Sequence, residues 1–527
     1  MEAVKNMYTL NGTKKEPLHL FEHPQGIHDM EAGSSGVILG INKKTKKLVV
    51  NDDEENVLLI APTRSDKGVN TIIPTGLIWQ DSIFFFDPKG ELWANTAGYR
   101  KKHFQQKVMM FYPRCADGCS VSWNPLAEVR FGTKEEWEDA KALAQLLLTA
   151  HKHDEETNSK QLEVAETLLA AVMMHLLYKH HLNHSSLPSL FDVSEIFQAS
   201  EMDTVLKGME VYGHIGISEL LKERVFRNLY GEYIHNLQPF MKVLGTTKLA
   251  AVDDILDTIQ EKEKSSDWRL PYDESPYIML ATHPKVMESI QDFLNEEDAE
   301  KQVILSMIKE ALEIYRDVDI RKNMEHSDFM LRDLLEQKQK ISFYFVTGAY
   351  SDVCPIGNLF VSMLLREAGL ETIGKGHSGS KSHLLIMLDE FDWLQHLPNL
   401  ESFLAVSGYA GVKVCIVAMS IREVTKLYGE NTSIFGNCGV QLYFTPTLED
   451  GGATQRKLAE LAGDNKESSD ELLKIPRQEG LIIEHGMSPI RVKKFRYYLN
   501  KKCNDMTKSG CPRKSDFGTQ VYGFVYS

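Results

Sequence analysis

The chain has 527 residues, of which 43% are hydrophobic and 25% are charged, and its formal net charge is −15. These proportions are typical of a soluble globular protein, and the length predicts roughly two to four domains. The acidic balance excludes a protein that coats nucleic acid with its whole surface, although a local basic channel stays open. The seven cysteines lack the spacing of a disulfide framework, which indicates a reducing compartment.

The sequence predicts neither a membrane-spanning helix nor a secretory signal. A spanning helix needs roughly 18 or more consecutive apolar residues. The longest candidate, Leu168–Tyr178, is shorter and is flanked by charge, so it is predicted to be a buried core helix. The N-terminal residues, MEAVKNMYTLNG, lack the apolar centre of a signal peptide. We expect the chain to start and stay in the cytosol.

The first predicted elements are a polar leader and a β-hairpin. Residues 1–32 are weakly patterned and are interpreted as a flexible leader. Gly36–Val50 contains two apolar runs around a basic turn, which predicts the hairpin. The four lysines of this turn favour a solvated tip over a nucleic-acid patch.

Val57–Asn70, which reads VLLIAPTRSDKGVN, predicts a buried strand that leads into a phosphate-binding loop. In the usual loop, G-x-x-x-x-G-K-[ST], only the lysine agrees, because Ala61, Asp66, Lys67 and Gly68 occupy the four fixed places. Such a loop directs backbone N–H groups and a helix N-terminus at phosphate, and its lysine adds positive charge. The predicted nucleotide-binding residues are Thr63, Arg64, Ser65, Asp66, Lys67, Gly68 and Val69.

Further strands surround this loop in the sequence. A helix is predicted over Val69–Trp79, kinked or ended by Pro74. Strand, loop, helix and strand in this order indicate an α/β nucleotide-binding core. The other predicted strands are Ser82–Asp87, Lys107–Phe111, Lys340–Thr347, Leu384–Leu388, Lys413–Ala418, Val440–Phe444, Gly480–His485 and Arg491–Tyr498.

Between Lys134 and Met324 the apolar period changes from two to 3.6, which predicts a largely helical insert. The predicted helices are Glu135–His151, Gln161–His181, Ser189–Ser200, Gly216–Tyr233, Thr247–Lys262 and Ala299–Asp317. The second helix carries a histidine group that is better interpreted as its frayed polar end than as a set of metal ligands, because no carboxylate or thiolate lies nearby in sequence. The group is His175, His180, His181 and His184.

Leu384–Glu390, which reads LLIMLDE, is a second candidate site element. A strand that ends in two acids predicts Asp389 as a water-mediated Mg²⁺ ligand and Glu390 as the general base. Asp389 lies 389 − 67 = 322 residues after Lys67. A single compact core does not explain this gap, whereas an inserted helical domain does.

Two other strings resemble sites without fitting them. Gly374–Ser382 matches neither a nucleophile elbow nor a phosphate loop, since no helix follows it. Cys115 and Cys119 have no second Cys/His pair at finger-like spacing, which argues against a metal clip.

Six motifs in a fixed order resemble those of the TraG/VirD-type coupling proteins of type IV secretion and conjugation systems. The resemblance covers roughly residues 36–498. The motifs are APTRSDKGVNTIIPT (61–75), FDPKGELWANTAGYR (86–100), WNPL (123–126), IMLDEF (386–391), YGENTSIFGNCGV (428–440) and PIRVKKFRYY (489–498).

The resemblance implies a RecA-like P-loop nucleotide-binding domain with a mostly parallel sheet, interrupted by an inserted all-α domain. It also implies ATP and Mg²⁺ as cofactors and a homo-hexameric ring, peripheral at the cytoplasmic face of the bacterial inner membrane. Its partners are then type IV secretion channel subunits and relaxase-DNA or effector protein substrates. The expected divisions are a leader (1–32), the nucleotide-binding domain in two parts (33–133 and 325–500), the all-α insert (134–324) and a tail (501–527).

The chain departs from this family at two site positions. Asp66 stands where the family has Gly, and Met419 stands where a phosphate-sensing Gln is expected. A carboxylate about 4 Å from a phosphate charge costs on the order of 4 kcal/mol at an effective dielectric of about 20. This equals roughly a thousandfold in affinity, unless Asp66 pairs with Lys67. A thioether cannot replace the hydrogen bonds of the Gln. The family's usual N-terminal membrane helices are also missing from this sequence.

Three functions therefore stay open. The first is an active coupling-protein ATPase that uses Lys67, Asp389 and Glu390. The second is a non-hydrolysing member that serves as a substrate-docking or scaffold subunit, because Asp66 and Met419 predict weak or lost ATP binding. A stand-alone helicase-like ATPase ranks last, since it does not explain the DPKGE and YGEN strings.

Overall fold

A computed structural model describes residues 36–150, 159–182, 185–210, 215–216, 280–281, 283–336, 339–348, 350–372, 383–446, 451–462, 475–484, 489–512 and 515–516. Several sequence predictions lie outside these residues. They are the leader, His184, the helix Thr247–Lys262, nearly all of the helix Gly216–Tyr233, and the connector Gly374–Ser382.

The described residues form thirteen strands. They are β1 (Val37–Asn42), β2 (Leu48–Asn51), β3 (Val57–Ile60), β4 (Ser82–Phe86), β5 (Lys107–Phe111), β6 (Ile215–Gly216), β7 (Leu280–Ala281), β8 (Ile341–Phe345), β9 (Leu384–Leu388), β10 (Val412–Ala418), β11 (Val440–Phe444), β12 (Glu479–Glu484) and β13 (Ile490–Lys493).

Eleven strands form one sheet in the order β2-β1-β13-β12-β11-β3-β10-β9-β4-β8-β5, while β6 and β7 pair separately. From β11 to β5 the neighbouring strands are parallel, and from β2 to β11 they are antiparallel. The carboxyl ends of the parallel strands meet at one edge of the sheet, which is where ligands bind in such folds. β3 therefore delivers the predicted phosphate loop to the centre of this edge.

Helices cover both faces of the sheet and form the insert. They are α1 (Ile73–Ile78), α2 (Gly98–His103), α3 (Glu136–Thr149), α4 (Ser159–Leu182), α5 (Leu190–Phe197), α6 (Met202–Glu210), α7 (Pro284–Leu294), α8 (Asp298–Glu313), α9 (Val318–Met324), α10 (Leu331–Leu335), α11 (Cys354–Thr372), α12 (Leu400–Val406), α13 (Ile421–Tyr428), α14 (Ile434–Asn437), α15 (Ala453–Ala462) and α16 (Lys501–Thr507).

The parallel strands are mostly apolar because both of their faces are buried. In β4, Phe84 stacks on Phe360 of α11, with ring centroids 5.5 Å apart. Phe85 faces the opposite side and stacks on Tyr344 at 5.0 Å. Alternate side chains of one strand thus enter two separate hydrophobic cores, on the two faces of the sheet.

The helical insert is centred on α4, against which α3, α7 and α8 pack. No residue of Leu168–Tyr178 is more than 5% exposed, which confirms the predicted core helix. His175 lies within this buried stretch and not at a frayed end, so that interpretation was wrong for His175. Burial lowers the pKa of His175 to about 4.

One helical stretch, Ser351–Leu370, is long and apolar enough to span a membrane by length and composition, which differs from the sequence expectation. In the structure, 72% of its most apolar window is buried. It includes most of α11, whose Phe360 packs on the sheet through Phe84 and Phe343. Core helices of large α/β domains satisfy the same composition test.

Pro74 does not end the helix that follows the phosphate loop. A π-helical turn, Gly68–Ile72, runs directly into α1, and Pro74 stands in the first turn of α1. Proline is tolerated there because the N–H that it lacks is not needed by an α-helical first turn. The helix then continues to Ile78.

The described part of the predicted tail packs against the sheet. Cys503 on α16 is fully buried. Farther along the chain, Ser515 Oγ accepts the Met110 N–H at 2.9 Å, and Asp516 Oδ2 accepts the Val108 N–H at 3.0 Å. These bonds cover backbone groups of the edge strand β5, which limits further strand pairing there.

Candidate active site

The phosphate loop leaves the sheet between β3 and the π-helical turn, and two of its residues have left-handed backbone angles. Asp66 has φ 65° and Arg64 has φ 60°. Glycine adopts this region freely, and aspartate is one of the few other residues that tolerates it. Asp66 therefore keeps the backbone conformation that glycine gives this loop.

The structure brings Lys67, Asp389 and Glu390 together, although 322 residues separate Lys67 from Asp389. Lys67 Nζ lies 2.7 Å from Glu390 Oε2 and 3.6 Å from Asp389 Oδ1. This convergence occurs because β3 and β9 both pair with β10 in parallel. The geometry matches the predicted trio.

The two acids have opposite pKa shifts. Burial raises the pKa of Asp389 to about 6, although the Lys67 charge opposes the rise. For Glu390, burial also acts upward, but the nearby ammonium groups of Lys67 and Lys89 outweigh it and hold the pKa below its usual value. Glu390 is therefore the stronger acid of the two, and Asp389 takes up a proton at a higher pH. The backbone of Glu390 has a left-handed φ of 50°.

Sequence reasoning missed Asp87 and Lys89 as site residues. Lys89 Nζ lies 2.8 Å from Glu390 Oε1, so that each oxygen of Glu390 meets one lysine. Asp87 follows β4, and its Oδ2 accepts the Trp93 backbone N–H at 2.8 Å. Burial raises the pKa of Asp87 to about 7, and the Asp389 charge adds to the rise. The signal was present, because FDPKGE places an acid directly after a predicted strand, as in LLIMLDE.

Sequence reasoning also missed two cations from the segment after β13, where the predicted strand Arg491–Tyr498 ends early. Lys494 Nζ donates to the Ser65 carbonyl oxygen at 2.9 Å, and burial lowers the pKa of Lys494 to about 8. Arg496 Nη2 lies 3.4 Å from Asp66 Oδ2. The alternative pairing of Asp66 with Lys67 was therefore wrong. The apolar periodicity of the sequence could not reveal that the segment after β13 lies against the phosphate loop.

Met419 reaches the phosphate loop at the position expected for the sensing glutamine. Its Sδ accepts a hydrogen bond from Thr63 Oγ1 at 3.1 Å. A thioether is a weak acceptor and has no donor. Met419 can thus hold the loop but cannot donate to a phosphate oxygen.

The remaining predicted residues lie on the loop and at its helix start. Thr63 and Arg64 are exposed, while Gly68 and Val69 are half-buried. A side chain at Gly68 would meet no atom within 4 Å, so the small residue is not required by packing.

The residues present fit a phosphate and a hard divalent cation. Ser65 Oγ and Asn70 Oδ1 are buried and have no hydrogen-bond partner among the described residues. Buried polar atoms normally have partners, so these two are available to a ligand. Lys67 supplies a positive charge for phosphate, and the Asp389 oxygens are of the type that Mg²⁺ prefers.

A lysine-bearing loop after a central parallel strand, with acids at neighbouring strand ends, defines a RecA-like P-loop nucleotide-binding protein. The sequence profile described as "Type IV secretory system Conjugative DNA transfer" matches residues 30–465. The chain belongs to this family, which confirms the recognition made from the motifs.

Individual relatives agree with this assignment. The chain is 29% identical to the conjugal transfer protein TraG of Escherichia coli over 464 residues, which cover 84% of the chain and 62% of TraG. A second Escherichia coli TraG is 30% identical over 421 residues, covering 78% of the chain and 55% of that protein. VirD4 of Agrobacterium fabrum is 21% identical over 484 residues, or 86% and 60% of the two chains. The chain thus spans less than two thirds of each relative.

Solved structures of the coupling protein TrwB share the fold. The unbound TrwBdeltaN70 has a TM-score of 0.55 at 13% identity, covering 91% of this chain and 93% of that chain. TrwB in complex with ADP and Mg²⁺ has a TM-score of 0.54 at 12% identity, with 92% and 96% covered. These likenesses confirm the predicted RecA-like α/β fold class.

Proposed function

We propose that this chain is a nucleotide-dependent coupling protein of a conjugative or type IV secretion system. The observation that carries the proposal is the contact of Lys67 with Glu390 and Asp389 at the carboxyl edge of the parallel sheet. Family membership supports it, and so do TrwB complexes with ADP and Mg²⁺ and with a non-hydrolysable ATP analogue.

Each site residue has a role that follows from its position. Lys67 binds phosphate, together with the loop N–H groups from Thr63 to Val69. Asp389 would hold Mg²⁺ through water, and the ion would supply charge neutralisation on the phosphates. Glu390, which stays ionised at neutral pH because two lysines face it, accepts a proton from the attacking water.

Both oxygens of Glu390 are engaged by lysines. Lys67 binds Oε2 and Lys89 binds Oε1. Each oxygen keeps a further lone pair that can accept a hydrogen bond from water. When Lys67 turns to a phosphate, Lys89 still holds Glu390 in place.

Membership of a conjugative DNA transfer family supports a proposal about partners and assembly. We propose that the chain delivers relaxase-bound DNA or effector proteins to the secretion channel as a homo-hexamer at the cytoplasmic face of the inner membrane. The nucleotide-binding domain comprises 33–133 and 325–500. The insert, 134–324, was expected to be all-α but also contains the β6–β7 pair, and we propose it as a surface for substrate docking. The chain spans less than two thirds of its TraG and VirD4 relatives.

The non-hydrolysing alternative makes a different forecast for the same experiment. The test compares ATP binding and hydrolysis by the purified chain with those of Lys67→Ala. We expect Mg²⁺-dependent ATP binding and turnover by the natural chain, and loss of both in the variant. ATP binding without turnover would support the docking subunit instead. Absence of both activities in the natural chain, at any ATP concentration up to the millimolar range, would contradict the proposal.

A further inference from the structure

A second group of ligand-type side chains lies outside the nucleotide site, in the loop 112–120 that follows the edge strand β5. Cys115 Sγ lies 2.8 Å from Cys119 Sγ, and it donates to Asp117 Oδ1 at 3.0 Å. One ligand atom from each of the three residues lies within 4.8 Å of the others. Two sulfurs and a carboxylate therefore converge on one point.

The backbone of this loop is held in place from several sides. Ser120 Oγ accepts the Tyr112 N–H at 2.8 Å, which closes the base of the loop. Asn323 Nδ2 donates to the Cys115 carbonyl oxygen at 2.8 Å and to the Pro113 carbonyl oxygen at 2.9 Å. The three side chains can therefore converge on a ligand without a rearrangement of the loop backbone, which lowers the entropic cost of binding that ligand.

Exposure differs among the three residues in a way that suits a bound cation. Cys115 is buried, Cys119 is half-buried and Asp117 is exposed. A cation can reach the two sulfurs from solvent on the Asp117 side. A fourth coordination position then faces water, which is common where a metal has three protein ligands.

The donor set distinguishes a cation from a disulfide. A Zn²⁺ ion that binds two thiolates at about 2.3 Å in tetrahedral geometry places the sulfurs about 3.8 Å apart. A disulfide requires about 2.05 Å, so either state needs a side-chain shift of roughly 1 Å. Both states remove the thiol proton that Asp117 now accepts, and the carboxylate favours the cation because only a bound cation then gives Asp117 a positively charged partner. Thiolates also select soft or borderline ions over Mg²⁺.

We propose that Cys115, Asp117 and Cys119 form a binding site for a thiophilic divalent cation of the Zn²⁺ type, with water as the fourth ligand. The sequence alone argued against this site, because the spacing showed only one cysteine pair. Binding releases the thiol protons to solvent. Through Asn323 of α9, the bound ion fixes the loop between the sheet and the helical insert.

The test is a titration of the reduced, metal-free full chain with Co²⁺, followed by displacement with Zn²⁺. Thiolate-to-cobalt charge-transfer absorption reports the cysteines and is silent for an ion held only by Asp389. We expect one ion per chain in the natural protein and an affinity loss of more than about a hundredfold in Cys119→Ser. Cys511→Ser is the matched control, because Cys511 is free and exposed.

Asp117→Asn keeps the test valid if a cysteine variant fails to fold, since Asp117 is exposed. We expect it to weaken Co²⁺ binding at least about tenfold. Three results overturn the proposal: no thiolate band in the natural chain, equal affinity in the natural and variant chains, or an intact mass showing a Cys115–Cys119 disulfide with no binding after reduction.

Discussion

Two aspartates end adjacent parallel strands, the buried Asp87 after β4 and the half-buried Asp389 after β9, and they differ in the groups that face them. Asp389 Oδ1 lies 3.6 Å from Lys67 Nζ. Asp87 Oδ2 instead accepts a backbone N–H from Trp93. Burial raises the pKa of both, to about 6 for Asp389 and about 7 for Asp87. The neighbouring Lys67 charge opposes the rise at Asp389, whereas backbone N–H groups oppose it at Asp87.

This difference assigns different roles to two residues that look alike in sequence. Asp389 faces Lys67 of the phosphate loop and is the residue that we propose to hold Mg²⁺. Asp87 binds the start of the π-helical turn Trp93–Ala97 and thereby fixes the DPKGE turn that carries Lys89. The following predictions test this division, from the largest expected effect to the smallest.

The largest effects are expected at the β9 acids. Glu390→Gln removes the general base, so we expect turnover to fall about 10²- to 10⁴-fold while ATP binding is kept. Asp389→Asn should weaken the Mg²⁺ dependence of ATP binding as well. Steady-state hydrolysis and ATP binding across a Mg²⁺ series measure both effects. Equal losses of ATP binding in the two variants would contradict the separate roles.

Asp87 is expected to affect the free energy of unfolding more than the rate of ATP hydrolysis. Its folded pKa is raised, so its contribution to stability is complete below the unfolded pKa and is lost as the pH rises through about 7. A rise of about three units corresponds to on the order of 4 kcal/mol. Asp87→Asn keeps the acceptor for Trp93 but cannot ionise. The nucleotide-free variant should therefore lose less stability than the natural chain between acidic and alkaline pH.

Chemical denaturation of both chains at about pH 5 and about pH 8 measures this difference. Asp389→Asn is the control, because its smaller pKa shift should give a smaller change with pH. If the free energy of unfolding changed with pH by the same amount in the natural chain and in Asp87→Asn, the raised pKa of Asp87 would be contradicted.

The same comparison explains how much could be predicted from sequence. The apolar run followed by acids in LLIMLDE identified Asp389 and Glu390, and the loop pattern identified Lys67, because both signals are local. Asp87 follows the same local rule in FDPKGE and could have been assigned. Lys494 and Arg496 could not, because periodicity does not tell which strands pair. Their position depends on β13 lying antiparallel to β12 and turning back toward the loop after Lys493.

Lys89 sharpens the comparison, because it links the Asp87 turn to Glu390. Lys89→Met removes one of the two cations that lower the pKa of Glu390. That pKa should rise, so the acid limb of the turnover profile should move to higher pH. We expect the loss of turnover to be confined to the acid side of the profile, with little change above neutrality. Lys89→Arg keeps the charge and should keep the limb. An unmoved limb in Lys89→Met would show that Lys67 alone sets the pKa.

The smallest effect is expected at Asp66, where sequence reasoning forecast the largest defect. Its carboxylate pairs with Arg496, and the side chains are 41% and 31% exposed, so solvent and Arg496 both screen the charge. Pairs of this kind are worth up to about 1 kcal/mol. Asp66→Gly, whose backbone already suits glycine, should therefore tighten ATP binding by no more than about fivefold. Arg496→Ala should weaken binding in the natural chain but not in the Asp66→Gly background. Calorimetry of ATP binding to the natural chain, the two single variants and the double variant separates the contributions of Asp66 and Arg496. A gain in affinity near a thousandfold in Asp66→Gly would show that the Asp66 charge is not screened.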